Sequence, residues 1–173
     1  MASIVGFPDP VNEVSARVVA AGVMVLSVVT IVLDQPWMTA VIAYGFVARV
    51  VTGPTLSPLG QLATRVVTPR LRVAPRFVPG PPKRFAQAIG AVVSVTAAVL
   101  ALGFGLHTAA YAVLGVLVVA AGLEAGLGLC IGCHIFALLM RAGVVPEEVC
   151  ERCRDLGFGT RTRGPGHVPT AAG

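Results

Sequence analysis

The sequence predicts an all-α fold: an integral-membrane four-helix bundle with a short cytoplasmic amphipathic helix and a cysteine-bearing C-terminal helical extension. Three observations carry this. Hydrophobic residues make up 55% of the 173 positions and charged residues only 12%, against about 25% charged in a soluble domain. The mean hydropathy is +0.85. The charge is also segregated. Asp34 and Glu124 are consecutive acids, and many of the 13 basic residues fall between them, within a net charge of +5.

The four spans are expected at about 14–33, 37–51, 85–106 and 109–129, within a transmembrane domain 1–143. The first has roughly 20 residues, enough to cross about 30 Å of hydrocarbon. Residues 1–16 contain no Lys or Arg, and Asp9 and Glu13 precede the apolar run, so this segment reads as a retained helix rather than a signal peptide. Asp34–Gln35–Pro36 is a turn signal. The second span is short, with Trp37 at one interface and Arg49 expected to snorkel at the other.

A basic loop, 52–84, follows. Ser57-Pro58 reads as an N-cap with Pro in the first turn. Leu59, Leu62, Ala63, Val66 and Val67 recur at helical spacing, the pattern of a short amphipathic helix on the membrane surface. Pro69, Pro75, Pro79, Pro81 and Pro82 argue against regular structure up to the third span. His107-Thr108 marks the turn into the fourth, and His107 reads as an interfacial residue. The apolar run from Ala109 to Met140 is too long for one crossing. As a single helix it would reach about 48 Å. It either protrudes or breaks within Gly122–Gly132, where Gly122-Gly126 and Gly128-Gly132 also have the GxxxG spacing of close helix contacts.

Charge sets the expected topology. Arg65, Arg70, Arg72, Arg76, Lys83 and Arg84 place the central loop in the cytoplasm, and an even number of spans then puts both termini there. The arginines also suit anionic lipid headgroups. This basic stretch lies against the membrane, so no nucleic-acid partner is expected. The expected location is the cytoplasmic (inner) membrane, multi-pass.

All four cysteines lie in "GLCIGCHIFALLMRAGVVPEEVCERC", as Cys130/Cys133 at the inner membrane edge and Cys150/Cys153 in a cytoplasmic extension, 144–173. Pro146-Glu147-Glu148 reads as a helix start, and the Gly-, Pro- and Arg-rich tail as disordered. A reducing compartment disfavours a permanent disulfide. Thiol exchange or sulfur transfer fits: a CxxC puts two sulfurs within one helical turn, and a lowered pKa makes the first a thiolate. Cations flank Cys150 and Cys153, and His134 beside Cys133 offers a base or proton donor. The alternative is zinc on Cys130, Cys133, Cys150 and Cys153, whose C-x2-C-x16-C-x2-C spacing fits a four-cysteine site. That would make the protein a structural or accessory subunit. "CIGCH" also matches a covalent haem motif, but such attachment occurs on the opposite side of the membrane from that expected here. No other cofactor is expected.

Glu124 is an intramembrane carboxyl, costly and therefore a functional candidate. On a continuous helix it points about 120° from Cys130 and about 180° from Cys133. It would line the path if the protein were instead a small transporter of a sulfur compound. Such a bundle would form a homo-oligomer, and the GxxxG spacings offer a surface for it.

"VARVVTGPTLSPLGQLATRVVTPRL", "PGPPKRFAQAIG" and "GLCIGCHIFALL" together resemble a bacterial membrane family of unknown function, the domain-of-unknown-function family numbered 4395, over roughly Asn12 to Gly143. Matching positions include Gly53, Pro54, Pro58, Lys83, Arg84, Phe85, Cys130 and Cys133. The resemblance implies a small multi-span protein. The company this family keeps with thioredoxin-like and rhodanese-like proteins implies a soluble partner of that kind. A weaker similarity is to the vitamin K epoxide reductase bundles, whose CxxC faces the other side of the membrane.

Overall fold

The computed structural model describes residues 9–145 apart from 72 and 75. Cys150, Cys153 and the C-terminal tail lie outside the described residues. The architecture is all-α, with one two-stranded ribbon pinning the central loop to the first helix.

Helix α1, Glu13–Val32, starts where the Asn12 side chain accepts from the Val14 N–H at 3.0 Å. It ends at Leu33, beside Asp34 at φ 48°. Pro36 precedes α2, Met38–Thr52, which stops at Gly53 (φ 63°). Strand β1, Val11–Asn12, pairs antiparallel with β2, Phe77–Val78, with Val11 opposite Val78. Beside it Arg76 Nε lies 3.1 Å from Glu13 Oε2.

The amphipathic segment forms α3, Pro58–Gln61, capped by Ser57 Oγ. It widens into a π-helical stretch, Leu62–Val67, and closes as α4, Thr68–Arg70. It does not lie free on the surface. Gly60 and Ala63 are buried, and Leu59 seats on Gly22 of α1. Leu62 and Val66 remain exposed on its other side. The apolar stripe is thus shared between the bundle and the surroundings.

Helix α5, Gly80–Ala98, starts earlier than the apolar pattern suggested and continues through π-helical turns to Gly103. Pro81 and Pro82 do not prevent it. The first turn of a helix has no internal acceptors for its N–H groups, so prolines there forfeit nothing. The Gly80 N–H is taken by Asp9 Oδ1 at 3.0 Å. Helix α6, His107–Leu127, includes the His107-Thr108 pair as its first residues rather than leaving it in the turn. Helix α7, Ile131–Arg141, is separate, so the long apolar run is broken.

α1 packs on α6, α2 on α5, and α5 on both α6 and α7. The core is Val19, Val23, Ile42, Phe46, Ala63, Ala97, Leu114, Leu117 and Ala121. Small hydroxyls let the helices close up: Thr30, Thr39 and Ser94 are fully buried and bond back to carbonyls of their own chain segments. The outside is as apolar as the inside. Val25, Val28, Val41, Val47, Val92, Val95, Val116 and Val119 are 40–67% exposed. Water would penalise such a surface, and hydrocarbon would not. Among the described residues, three helices are long and apolar enough to cross a bilayer: Glu13–Val32, Gly80–Gly103 and His107–Leu127. α2 and α7 are shorter apolar helices of 15 and 11 residues. The fold is that of a membrane protein.

Candidate functional site: a dithiol beside a buried ion pair

The site begins with the break. Gly128 takes φ 71°, the left-handed conformation that glycine adopts without strain. Its N–H bonds the Glu124 carbonyl at 3.1 Å, closing α6 with a left-handed cap. Arg17 of α1 covers the neighbouring carbonyls, donating from Nη2 to Ala125 O (3.1 Å) and Gly126 O (2.8 Å). A cation at a helix C-terminus is favourable by itself. Gly128→Ala is expected to cost about 1–2 kcal/mol through the left-handed backbone alone. A lowered thermal midpoint in detergent would show it.

The break resets the chain direction, so α7 lies against the first turns of α5. Gly132 makes this possible: a Cβ there would stand 2.5 Å from both Cα and Cβ of Ala86. Phe136 then stacks at 5.5 Å on Phe85. Cys130 occupies the N-cap position of α7 with extended backbone, and Cys133 follows within the first turn. Both are free thiols; Cys130 is buried and Cys133 half-buried.

The same turns of α5 carry Lys83. Its Nζ lies 2.7 Å from Glu124 Oε1, with the two side chains 9% and 17% exposed. The pair sits within electrostatic reach of both thiols. The thiols themselves are unequal. The Cys133 S–H donates to the Cys130 sulfur, which holds the Cys130 thiol below its ordinary value; Lys83 adds to this, while burial and Glu124 oppose it. Cys133, as the donor, is pushed well up, and burial adds to that. The arrangement suits a Cys130 thiolate with Cys133 as its proton-bearing partner.

Sequence reasoning separated Glu124 from the cysteines because a straight helix would. The structure brings Glu124, Lys83, Cys130 and Cys133 together. His134 Nδ1 lies 2.9 Å from the Cys130 carbonyl oxygen, so its ring is tied to the start of its own helix. Two functional candidates escaped the sequence. Lys83 falls in the basic loop by sequence pattern, whereas the structure buries it in α5. Arg49 was expected to snorkel outward. Instead it turns inward and is 5% exposed, with Nε on Gln87 Oε1 (3.0 Å), Nη1 on Ser57 Oγ (3.1 Å) and its guanidinium 4.4 Å from the centre of the Phe46 ring.

A cavity of about 380 Å³ runs between α1, α2, α5, α6 and α7; Arg49, Gln87, Glu124 and Cys130 stand at its polar part. This gives the buried Cys130 an open side. Of the GxxxG glycines, Gly122 faces Met24 of α1, whereas no side chain or backbone atom lies within 4 Å of the Cβ position of Gly126. Among the described residues no group of three or more His, Cys, Asp or Glu converges as a metal site. A four-cysteine zinc site would need Cys150 and Cys153, which lie outside them.

Fold and site together define a small all-α membrane protein with a CxxC at a helix start, set against a buried lysine–glutamate pair. The chain belongs to the family described as Domain of unknown function (DUF4395), whose model matches residues 11–141. No curated protein and no solved structure matches it.

Proposed function

We propose that this protein exchanges thiols and disulfides, or carries sulfur, at the cytoplasmic face of the inner membrane. The Cys130–Cys133 pair at the start of α7 carries this reading. The Cys130 thiolate attacks one sulfur of a disulfide on a soluble partner and releases the other as a thiolate. Cys133, losing its proton, then displaces the mixed disulfide. Cys130–Cys133 closes as a disulfide, and the partner leaves with two thiols. Two electrons pass from this chain to the partner, and the reverse sequence returns them. A thioredoxin-like or rhodanese-like protein is the partner this chemistry suits, and Cys150/Cys153 form a second exchange pair.

The orientation follows from charge. Arg70, Arg76, Lys83 and Arg84 belong to the loop and to the start of α5, which carries α7. With positive residues inside, the dithiol is cytoplasmic, both termini are inside, and the loop arginines meet anionic lipid. Four crossings, α2 included, satisfy this.

The test uses purified protein in detergent, with thiol titration before and after a disulfide oxidant. In C150S/C153S, oxidant is expected to remove two titratable thiols. C130S and C133S should each abolish exchange while inserting normally. Unchanged exchange in both single variants would sink the proposal. The spacing of the two CxxC pairs supports a second reading, a zinc-holding accessory subunit. Elemental analysis of the same sample separates the two: one zinc per chain, with no free thiol before chelation, favours the second.

A further inference from the structure

Arg49 has more charge than the protein uses. Its two hydrogen-bond partners, Gln87 and Ser57, are neutral. Its Nη2 is fully buried and has no partner among the described residues. Glu124 attracts it electrostatically but is already in contact with Lys83 at 2.7 Å. Lys83 and Glu124 cancel, so among the described residues, while the Cys130 thiol holds its proton, this end of the bundle buries one uncompensated positive charge. A buried charge without a counter-ion is strongly disfavoured, and a counter-ion of the right shape relieves it.

The shape is given by the cavity that Arg49 lines. Its volume of about 380 Å³ is in the range of small-ligand sites. Away from Arg49 its walls are apolar, including Val93, Val116 and Leu117. Val116 and Val119, 65% and 61% exposed, line it from the apolar outer face of the bundle. Polar groups gather at the end of the bundle that carries the basic loop, and apolar groups extend from there into the span. The site therefore has the polarity of an amphiphile standing in one leaflet.

We propose that this cavity binds a lipophilic monoanion: one acidic head group against the Arg49 side chain and a single apolar chain along α5 and α6, entering from the bilayer. Cys130 also lines the cavity, but the head group rests on Arg49, so ligand binding tests the site separately from the exchange chemistry.

The probe is radiolabelled dodecanoate, added to the full chain in phosphatidylcholine nanodiscs, with empty discs subtracted. Saturable binding near one per chain is expected. Arg49→Gln should weaken it at least tenfold, and Arg49→Lys, which keeps the charge, by only a few fold. Val116→Trp, which narrows the outer side without touching the polar end, should also weaken it, so the test survives an Arg49 variant that fails to fold. Neither dodecanol nor dodecyltrimethylammonium should compete. Binding no higher than in empty discs would overturn the proposal, as would equal binding by Arg49→Gln. Equal competition by inorganic sulfate would show an anion hole without the apolar requirement and would overturn it too. Displacement by phosphatidylglycerol doped into the discs would assign the site to a bilayer headgroup and exclude the single-chain ligand.

Discussion

Lys83→Met is expected to destabilise the protein by about 3–5 kcal/mol, the cost of removing one partner from a buried ion pair. The loss comes from what is left behind. Glu124 would keep its desolvated carboxylate with no ammonium 2.7 Å away, or would have to take up a proton. Glu124→Leu added to Lys83→Met is therefore expected to recover most of the loss, since replacing both charges by apolar groups is often neutral or better. Thermal unfolding in one detergent at one pH measures both variants. Equal destabilisation by the single and the double variant would show that the pair is not the source.

The same pair of variants reports on the thiol. Cys130 is held down first by the hydrogen bond from Cys133 and then by Lys83, and is pushed up by burial and by Glu124. Removing Lys83 leaves the Glu124 charge to act alone, so the thiolate becomes less favoured. Alkylation of Cys130 by iodoacetamide, followed by peptide mass, should then need a higher pH in Lys83→Met. In the double variant the two opposing charges vanish together, and the midpoint should return towards that of the parent. A midpoint that stays put in Lys83→Met would detach the ion pair from the dithiol.

The parts of the fold legible in the sequence are those set by local composition. The three long apolar helices, the Asp34–Pro36 turn and the Ser57 cap all follow from nearest neighbours in the chain. The break at Gly128 was one of two options, because a glycine cluster serves a cap and a helix contact equally well. The site was legible only as two cysteines and a carboxyl. Its geometry depends on where α6 stops, and one left-handed residue reverses the inference drawn from helix rotation. Lys83 and Arg49 were hidden for a different reason. Cations near a membrane edge satisfy the positive-inside rule whether they face water or the bundle, so their count says nothing about their direction. Pro81 and Pro82 compounded this by making the first turn of α5 look like loop, which put Lys83 outside the helix that buries it.

Gly132→Ala is expected to cost about 1–3 kcal/mol, the usual range for overpacking, and to disturb the dithiol out of proportion to that loss. The added methyl would sit 2.5 Å from Ala86 Cα and Cβ and 3.3 Å from its nitrogen. Two of these three atoms are backbone, so no side-chain rotation relieves the contact, and α7 has to lift from α5. That motion carries Cys130 away from Lys83 and opens the Phe85–Phe136 contact. Ala86→Gly should rescue it only in part, because it removes the Cβ and leaves the Cα in place. Gly126→Ala is the matched control. Nothing lies within 4 Å of its Cβ position, and alanine is the better helix former, so stability should hold or rise slightly. Thermal midpoints and Cys130 alkylation rates on the three variants and the parent decide the matter. A Gly132→Ala protein as stable as Gly126→Ala, with an unchanged alkylation rate, would mean that α7 does not need its close approach to α5. The placement of the dithiol beside the ion pair would then have to rest on the left-handed turn at Gly128 alone.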